Sequence, residues 1–437
     1  MMGTLNPTDV STRRQRIAEL AKQYPDRALL SLNHHIDGLW LEEAFHQTRK
    51  DGALGVDGKS AEDFRAQMPA VFADLENRMK SGSYYAPPGR RSYIPKDDGT
   101  QRPISIASFE DKVAQRAIVM VLEPIYEQEF LDFSYGFRPG RRPLDAVHRL
   151  FQEVMSMNGC WLIDADVRSY FDSVSKQHLR SFVETRVGDK MIQRMLGKWL
   201  KAGVVDDGLV SYPQEGVPQG SVIGPLLSNI YLHEVLDKWF VHTVQPRLRG
   251  RAFLIRFADD FVMGFSNERD ARSVMAALPK RFARFNLTIH PNKTKLIRFF
   301  PSADCGECTS FDFLGFTHHW GKSRKGNWVM RHTTKKHRLS KTIRTIWEVC
   351  RKQMHHPLAI QQASLNRRLI GHYQYFGIVG NYRQLNKLYR RARSAWRYWL
   401  NRRTRGNPMP WTKFEKLLSR YPLRSPYIPH SPYRSAK

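Results

Sequence analysis

Residues 254–265, LIRFADDFVMGF, set two adjacent aspartates between two apolar runs, a pattern that few folds accommodate. The runs 253–257 and 261–265 are rich in aromatic and branched residues, the composition of strands, and the Ala-Asp-Asp between them reads as hairpin punctuation. Turn chemistry alone accounts for an aspartate there. It does not account for two carboxylates so close to large hydrophobes, because like charges at that spacing repel unless a cation stands between them. Two readings stay open from this stretch alone: an ordinary hairpin turn, and a buried hairpin whose tip faces a metal site.

Two divalent ions about 3.5–4 Å apart can activate an attacking hydroxyl and stabilise a leaving oxygen, but they need carboxylates from separate segments. CWLIDADVRSYFDSV, residues 160–174, supplies Asp164, Asp166 and Asp172. A short apolar strand runs into Asp164-Ala165-Asp166, and the period of two sets Asp164 and Asp166 on one face. A surface turn with a capping Asp reads equally well here. Between the acidic segments lies EGVPQGSVIGPLLSNIYLHEVLDKWF, residues 215–240. Gly216, Gly220 and Gly224 allow close backbone approach, Pro225 suits a first helical turn, and Leu226, Leu227, Ile230, Tyr231, Val235 and Trp239 repeat at helical spacing.

The charge balance names the class of partner. Of the 437 residues, 70 are Lys or Arg and 41 Asp or Glu, a net charge of +29. Residues 331–437 hold 25 basic and 2 acidic residues (Glu348 and Glu415), or +23 of that excess. A polyanion is expected on that surface, and with no membrane-seeking segment nucleic acid fits best. The longest fully apolar run, Ala117 to Leu122, has six residues, so neither a membrane span nor a signal peptide is expected. Four scattered cysteines, Cys160, Cys305, Cys308 and Cys350, fit a reducing, cytoplasmic setting.

The basic quarter reads as helices: 338–354, 361–378 and 382–405 each carry apolar or aromatic residues three and four apart among Arg and Lys. In the last, Leu385, Leu388, Tyr389, Ala392, Trp396 and Trp399 form a stripe for the core and leave the arginines on the other faces. The tail after 420 is Pro-rich and reads as extended. At the front, Ser11 is a candidate N-cap for a helix, and the amphipathic spacing over 60–84 is broken at Pro69.

The order of these segments resembles palm motifs A, B and C of reverse transcriptases: an acidic strand with an aromatic residue five positions on, Pro-Gln-Gly before a helix, then the Ala-Asp-Asp hairpin. Residues 91–118 (RSYIPKDDGTQRPISIASFEDKVAQRAI), 133–147, 287–299 and 311–320 look like further blocks of bacterial group II intron-encoded reverse transcriptases. Residues 371–390 resemble their maturase, or thumb, domain, and the likeness runs over roughly 30–420. It implies an α+β right-hand polymerase: a helical extension and the start of the fingers over 1–90, fingers and palm (antiparallel sheet plus helices) over 91–330, and a basic helical thumb over 331–437. The implied activity is DNA synthesis on RNA with two Mg2+ ions, joined to folding, splicing and mobility of a host intron RNA. RNA template, DNA or RNA primer and deoxynucleoside triphosphates are the implied partners.

Matched residue by residue, Asp166, Asp259 and Asp260 correspond to the acidic triad and Lys293 to a candidate acid for pyrophosphate. Lys96 and Arg102 match residues that hold the incoming triphosphate. Phe171 matches the aromatic gate that excludes a ribose hydroxyl, and Gln219 and Gly220 the loop under the templating pair. Phe313, Leu314 and Gly315 match the primer grip. Phe257 stands where most of the family has Tyr, and Gly224 where Ser is common. The resemblance points to the subgroup without an HNH nuclease. Cys305-Gly-Glu-Cys308 with His318 and His319 has the look of a zinc set, but a lone CxxC is a weak signal and zinc is not expected. Two other functions fit the same residues: an RNA-binding splicing cofactor for which polymerisation is incidental, and a stand-alone reverse transcriptase in antiphage defence.

Overall fold

The computed structural model describes residues 7–68, 70–95, 99–301, 310–403 and 408–430. Lys96, Pro69, Cys305 and Cys308 lie outside them. The chain is α+β and divides into two compact units: one comprises 1–141, 165–261 and 269–295, the other 142–164, 262–268 and 296–437.

In the first unit the helix Phe109–Tyr126 is buried along nearly its whole length. Its polar residues Lys112, Arg116 and Glu123 share one narrow face, and nearly all the rest of its surface is buried, including the polar Asp111 and Gln115. Ser108 caps it by accepting from the Asp111 N–H, and the helices Pro7–Gln23 and Gly38–Gln47 pack against it. Ser11 sits inside the first of these helices and not at its cap: helical backbone already begins at Pro7, with Asp9 complementing the dipole of the first turn. The break expected near residue 69 separates helices Ala61–Ala66 and Ala70–Ser81, the former opened by a reciprocal capping box between Ser60 and Asp63.

Strands β1 (Gly89–Pro95) and β2 (Gln101–Ile106) form an antiparallel hairpin. β3 is Cys160–Ala165, β4 Val167–Arg168, β5 Val204–Asp206 and β6 Leu209–Ser211. One sheet runs β2-β1-β5-β6. β7 (Ala252–Phe257) and β8 (Asp260–Phe265) flank the Asp-Asp turn; with β9 (Thr288–Ile289) and β10 (Lys295–Phe299) they complete a second sheet, β10-β3-β8-β7, and the short pair β4-β9. The helix Gly224–Leu232 has Pro225 in its first turn, as its sequence predicts, and continues through two π turns, His233–Asp237 and Phe240–Val244.

In the second unit β11 (Ser310–Phe313), β12 (Phe316–Lys322) and β13 (Trp328–Thr334) form an antiparallel sheet, and the helix Pro143–Ser156 packs on β13. Helices Lys336–Lys352, Leu358–Phe376, Tyr382–Arg402 and Trp411–Arg420 share one core around Leu369, Leu388, Trp396 and Phe414. Leu385, Leu388, Ala392 and Trp396 of the expected stripe are buried; Tyr389 and Trp399 pack at its margin. The residues after 420 are extended, with Tyr427 and Ile428 lying against this core.

Candidate active site

Nearly every residue that the sequence singles out lies in the first unit, on four segments tied together by backbone contacts. The acidic strand β3 ends at Ala165, one residue before Asp166. Asp166 is then held by its own backbone: its carbonyl accepts from His290 N–H at 2.7 Å, and its N–H donates to Thr294 Oγ1 at 3.4 Å. Its carboxylate meets Lys293 Nζ at 3.1 Å, with both side chains about half exposed (45% and 61%).

Asp259 sits in the turn between β7 and β8, after Ala258, whose φ of +57° is the left-handed conformation an L-residue adopts only under constraint. The constraint is visible. Segment 133–136 runs beside β7 through Tyr135 N–H to Arg256 O (2.8 Å) and Arg256 N–H to Phe133 O (2.9 Å). A side chain at Gly136 would come within 2.2 Å of the Ala258 nitrogen, so only glycine fits there. Asp260 is the first residue of β8 and is exposed.

Burial pushes the Asp259 carboxyl above its ordinary range, Asp166 pushes it further, and Arg102 and Arg256 pull it back. Arg102 on β2 is thus within electrostatic reach of the Asp-Asp turn. Two mutually repelling oxygen donors, one of them mostly desolvated, are a set that a hard divalent cation suits. Among the described residues, the group of three donors drawn within 4.8 Å of one another is Glu129, His233 and Glu234, where Arg186 and Lys238 already neutralise the carboxylates. The three aspartates are not drawn that close.

Phe171 lies on a one-turn helix, Tyr170–Ser173, entered through Ser169 at φ +45°. The Gly-rich loop packs on this turn: Val217 N–H donates to Phe171 O at 2.8 Å and Gly216 N–H to Val174 O at 2.8 Å. At Gly216, φ is +93° and an added Cβ would lie 2.9 Å from Phe171 O. Gln219 O accepts from Ser105 N–H on β2 at 2.6 Å, and at Gly220 (φ +99°) an added Cβ would meet Ile104 at 2.4 Å. Ser221 Oγ bridges Pro218 O (2.8 Å) and Gly224 N–H (3.1 Å); a side chain at 224 would crowd that hydroxyl at 2.7 Å. The glycine at 224 and the serine at 221 therefore suit each other.

Sequence reasoning missed two supports of this site. Gln115 Oε1 accepts from Val222 N–H (2.8 Å) and Ile223 N–H (3.3 Å), while its Nε2 donates to the buried Asp111. Asp111 also accepts from Tyr84 OH and Trp199 Nε1, both at 2.6 Å. Arg256, fully buried under the turn, bonds Asp237, Asn229 Oδ1 (3.0 Å) and the Ala258 carbonyl (3.1 Å). The signal for it was present, since an arginine in the apolar run LIRF needs a buried partner.

The 313–315 turn belongs to the second unit. Leu314 and Gly315 both have positive φ (+49° and +80°), a two-residue hairpin turn in which Tyr375 OH donates to Leu314 O at 2.9 Å. His318 is buried, with His332 Nδ1 at 2.8 Å and Phe313 O at 3.3 Å on its ring nitrogens.

The sequence profile described as "Reverse transcriptase (RNA-dependent DNA polymerase)" matches residues 94–318, which take in both acidic segments, the Gly-rich loop and the 313–315 turn. The chain belongs to the reverse transcriptase family. This reverse transcriptase is 35% identical over 293 residues to Protein YkfC of Escherichia coli (strain K12), a match covering 60% of this chain and 73% of that protein. It is 37% identical over 162 residues to Group II intron-encoded protein LtrA of Lactococcus lactis subsp. cremoris, covering 37% of this chain and 26% of LtrA. A third relative is the Probable RNA-directed DNA polymerase from transposon BS of Drosophila melanogaster, 28% identical over 229 residues, 47% of this chain and 24% of that protein. The match thus spans most of YkfC and about a quarter of the other two. Among the described residues no helix is long and apolar enough to cross a membrane.

Proposed function

We propose that this reverse transcriptase copies RNA into DNA at the Asp166–Asp259 site and that its basic helical region, 331–437, docks on a group II intron RNA to assist splicing and mobility. The reading is carried by two carboxylates from separate segments, Asp166 and the mostly buried Asp259, within electrostatic reach of each other: Asp166 adds to the upward push on the Asp259 carboxyl, and Arg102 opposes it. Two Mg2+ ions would be held by Asp166 and Asp259, with Asp260 in support; bound there, they supply Lewis-acid stabilisation of the attacking and leaving oxygens.

The chain's own residues do the rest. Lys293 gives a proton to the pyrophosphate as it leaves, a role supported by its ammonium lying beside Asp166. Arg102, with Lys96, holds the triphosphate. Phe171 stands against the sugar, its turn fixed by the loop that carries Gln219 and Gly220 under the templating pair. The strained Leu314-Gly315 turn, with Phe313, grips the primer strand. Intron docking draws support from the 25 to 2 excess of basic over acidic residues after 330 and from the likeness to LtrA.

Asp259→Asn keeps the size and hydrogen bonding of the side chain but removes its charge. Primer extension should fall by orders of magnitude, while intron RNA binding and splicing at moderate magnesium persist. Retained polymerisation would overturn the metal-site assignment. Loss of splicing in a variant with an unchanged melting transition would overturn the independence of the docking function.

A further inference from the structure

The helices Lys336–Lys352 and Tyr382–Arg402 pack together and carry 13 Lys or Arg against one acidic residue, Glu348. On this surface stands an aromatic cluster that the core leaves partly uncovered. Trp347 and Tyr398 lie ring to ring, centroids 4.8 Å apart and tilted by 34°, and each is 39% exposed. Trp399 closes the back of the pair, edge-on to Trp347 at 5.9 Å and to Tyr398 at 5.3 Å, and its indole N–H has no hydrogen-bond partner.

Exposed arginines stand beside both rings at helical spacing: Arg344 and Arg351 bracket Trp347, three before and four after it, and Arg402 follows Tyr398 by four. The Arg402 guanidinium lies over the Tyr398 ring at 5.3 Å and donates to its hydroxyl at 3.0 Å. Large exposed aromatics in so one-sided a field of positive charge are costly to leave in water and suited to one class of ligand. A nucleobase offers a flat face to the ring, and the phosphates on either side of it offer charge to the arginines. A base in a duplex has no free face to offer.

We propose that Trp347 and Tyr398 form a stacking shelf for an unpaired base of bound RNA, with Arg344, Arg351 and Arg402 meeting its flanking phosphates. The shelf rests on the reading that the basic helical region docks on RNA. It adds that this docking selects single-stranded segments, and it puts the selection on two rings.

The test uses the full chain with its polymerase cleft filled by a primer–template hybrid. A fluorescein-labelled 12-nucleotide RNA single strand and a 12-base-pair RNA duplex are then titrated. Trp347→Leu and Tyr398→Leu are each expected to weaken single-strand binding by about 5- to 150-fold, the worth of one stacked base at about 1.4 kcal/mol per tenfold. Duplex affinity and the salt dependence of both should stay as in the wild type. In the wild-type protein, a 5-iodouridine-substituted strand should photocrosslink to Trp347 or Tyr398, a readout that does not depend on either variant folding.

Equal losses on strand and duplex, or unchanged single-strand affinity with no crosslink to either ring, would overturn the shelf while leaving RNA docking intact. Failure of the wild type to bind either RNA would overturn the docking reading as well. Protection of Trp347 from hydroxyl-radical footprinting by self-association alone would assign the surface to a second copy and overturn the shelf.

Discussion

Arg256 and Asp237 face each other with no exposure to solvent, guanidinium to carboxylate, Nε to Oδ1 at 2.8 Å and the terminal nitrogen to Oδ2 at 2.5 Å. Burial alone would push the Asp237 carboxyl up, but Arg256 and the neighbouring His233 outweigh it and hold the carboxyl below its ordinary range. The same arginine carries the carbonyl of Ala258, the residue before Asp259. The turn that presents the candidate metal ligand thus hangs from a buried ion pair.

Arg256→Met would strand a buried carboxylate, and removing one member of such a pair costs about 3–5 kcal/mol. The expected result is a fall of that size in denaturant-unfolding stability, partly recovered when Asp237→Leu is added. A single variant within about 1 kcal/mol of wild type would show that the pair does not hold the turn.

Asp111 supplies a pH dependence. Burial lifts its carboxyl from 3.8 to about 6, against the bonds from Tyr84, Trp199 and Gln115. The folded state therefore binds the proton more tightly than the unfolded chain. The stabilisation is complete below pH 3.8 and is lost as pH rises through about 6, a change of about 3 kcal/mol at about 1.4 kcal/mol per unit. Comparing unfolding free energies of wild type and Asp111→Asn from pH 4 to pH 7.5 should show wild type losing ground over that window. A constant difference between the two proteins would remove Asp111 from this role.

Phe171→Val should admit ribonucleotides. With the ring gone, discrimination against a ribose hydroxyl is expected to fall about 10- to 100-fold in primer extension, the range an apolar pocket supplies. Wild-type discrimination in a folded variant would take Phe171 out of the gate.

Arg383, Arg390 and Arg391 are exposed on the helix Tyr382–Arg402. Converting all three to Gln should flatten the dependence of intron RNA affinity on salt by roughly 2 in the log–log slope, because each lost phosphate contact releases fewer counterions. An unchanged slope would move the phosphate contacts to other residues.

Much of this was legible because it is local. Strands β7 and β8, the Pro225 helix start and the three basic helices rest on apolar spacing and turn residues that neighbouring positions supply. The role of Gln115 was not, because its partners are 107 and 108 residues away and nothing near it in sequence demands them. Arg256 bonds an aspartate 19 residues upstream, a partner that periodicity does not identify. Ser11 misled for the opposite reason: a good capping residue inside a helix looks the same as one at its start until the upstream backbone is seen.

The second unit has a consequence for how the protein is made. Its helix Pro143–Ser156 buries Ala146, Val147, Leu150, Phe151 and Val154, and packs on β13, with Met330 N–H reaching Met155 sulfur across 175 residues of chain. At about 5–20 residues per second, the ribosome delivers that partner strand roughly 9 to 35 s after the helix itself. For that interval the part of this amphipathic helix that β13 covers lacks its partner, so translation speed and holding chaperones bear on the yield of this unit more than on that of the helices 336–402, whose packing partners follow one another directly. Pulsed proteolysis of nascent chains stalled at increasing lengths should find the helix 143–156 accessible until β13 has left the exit tunnel.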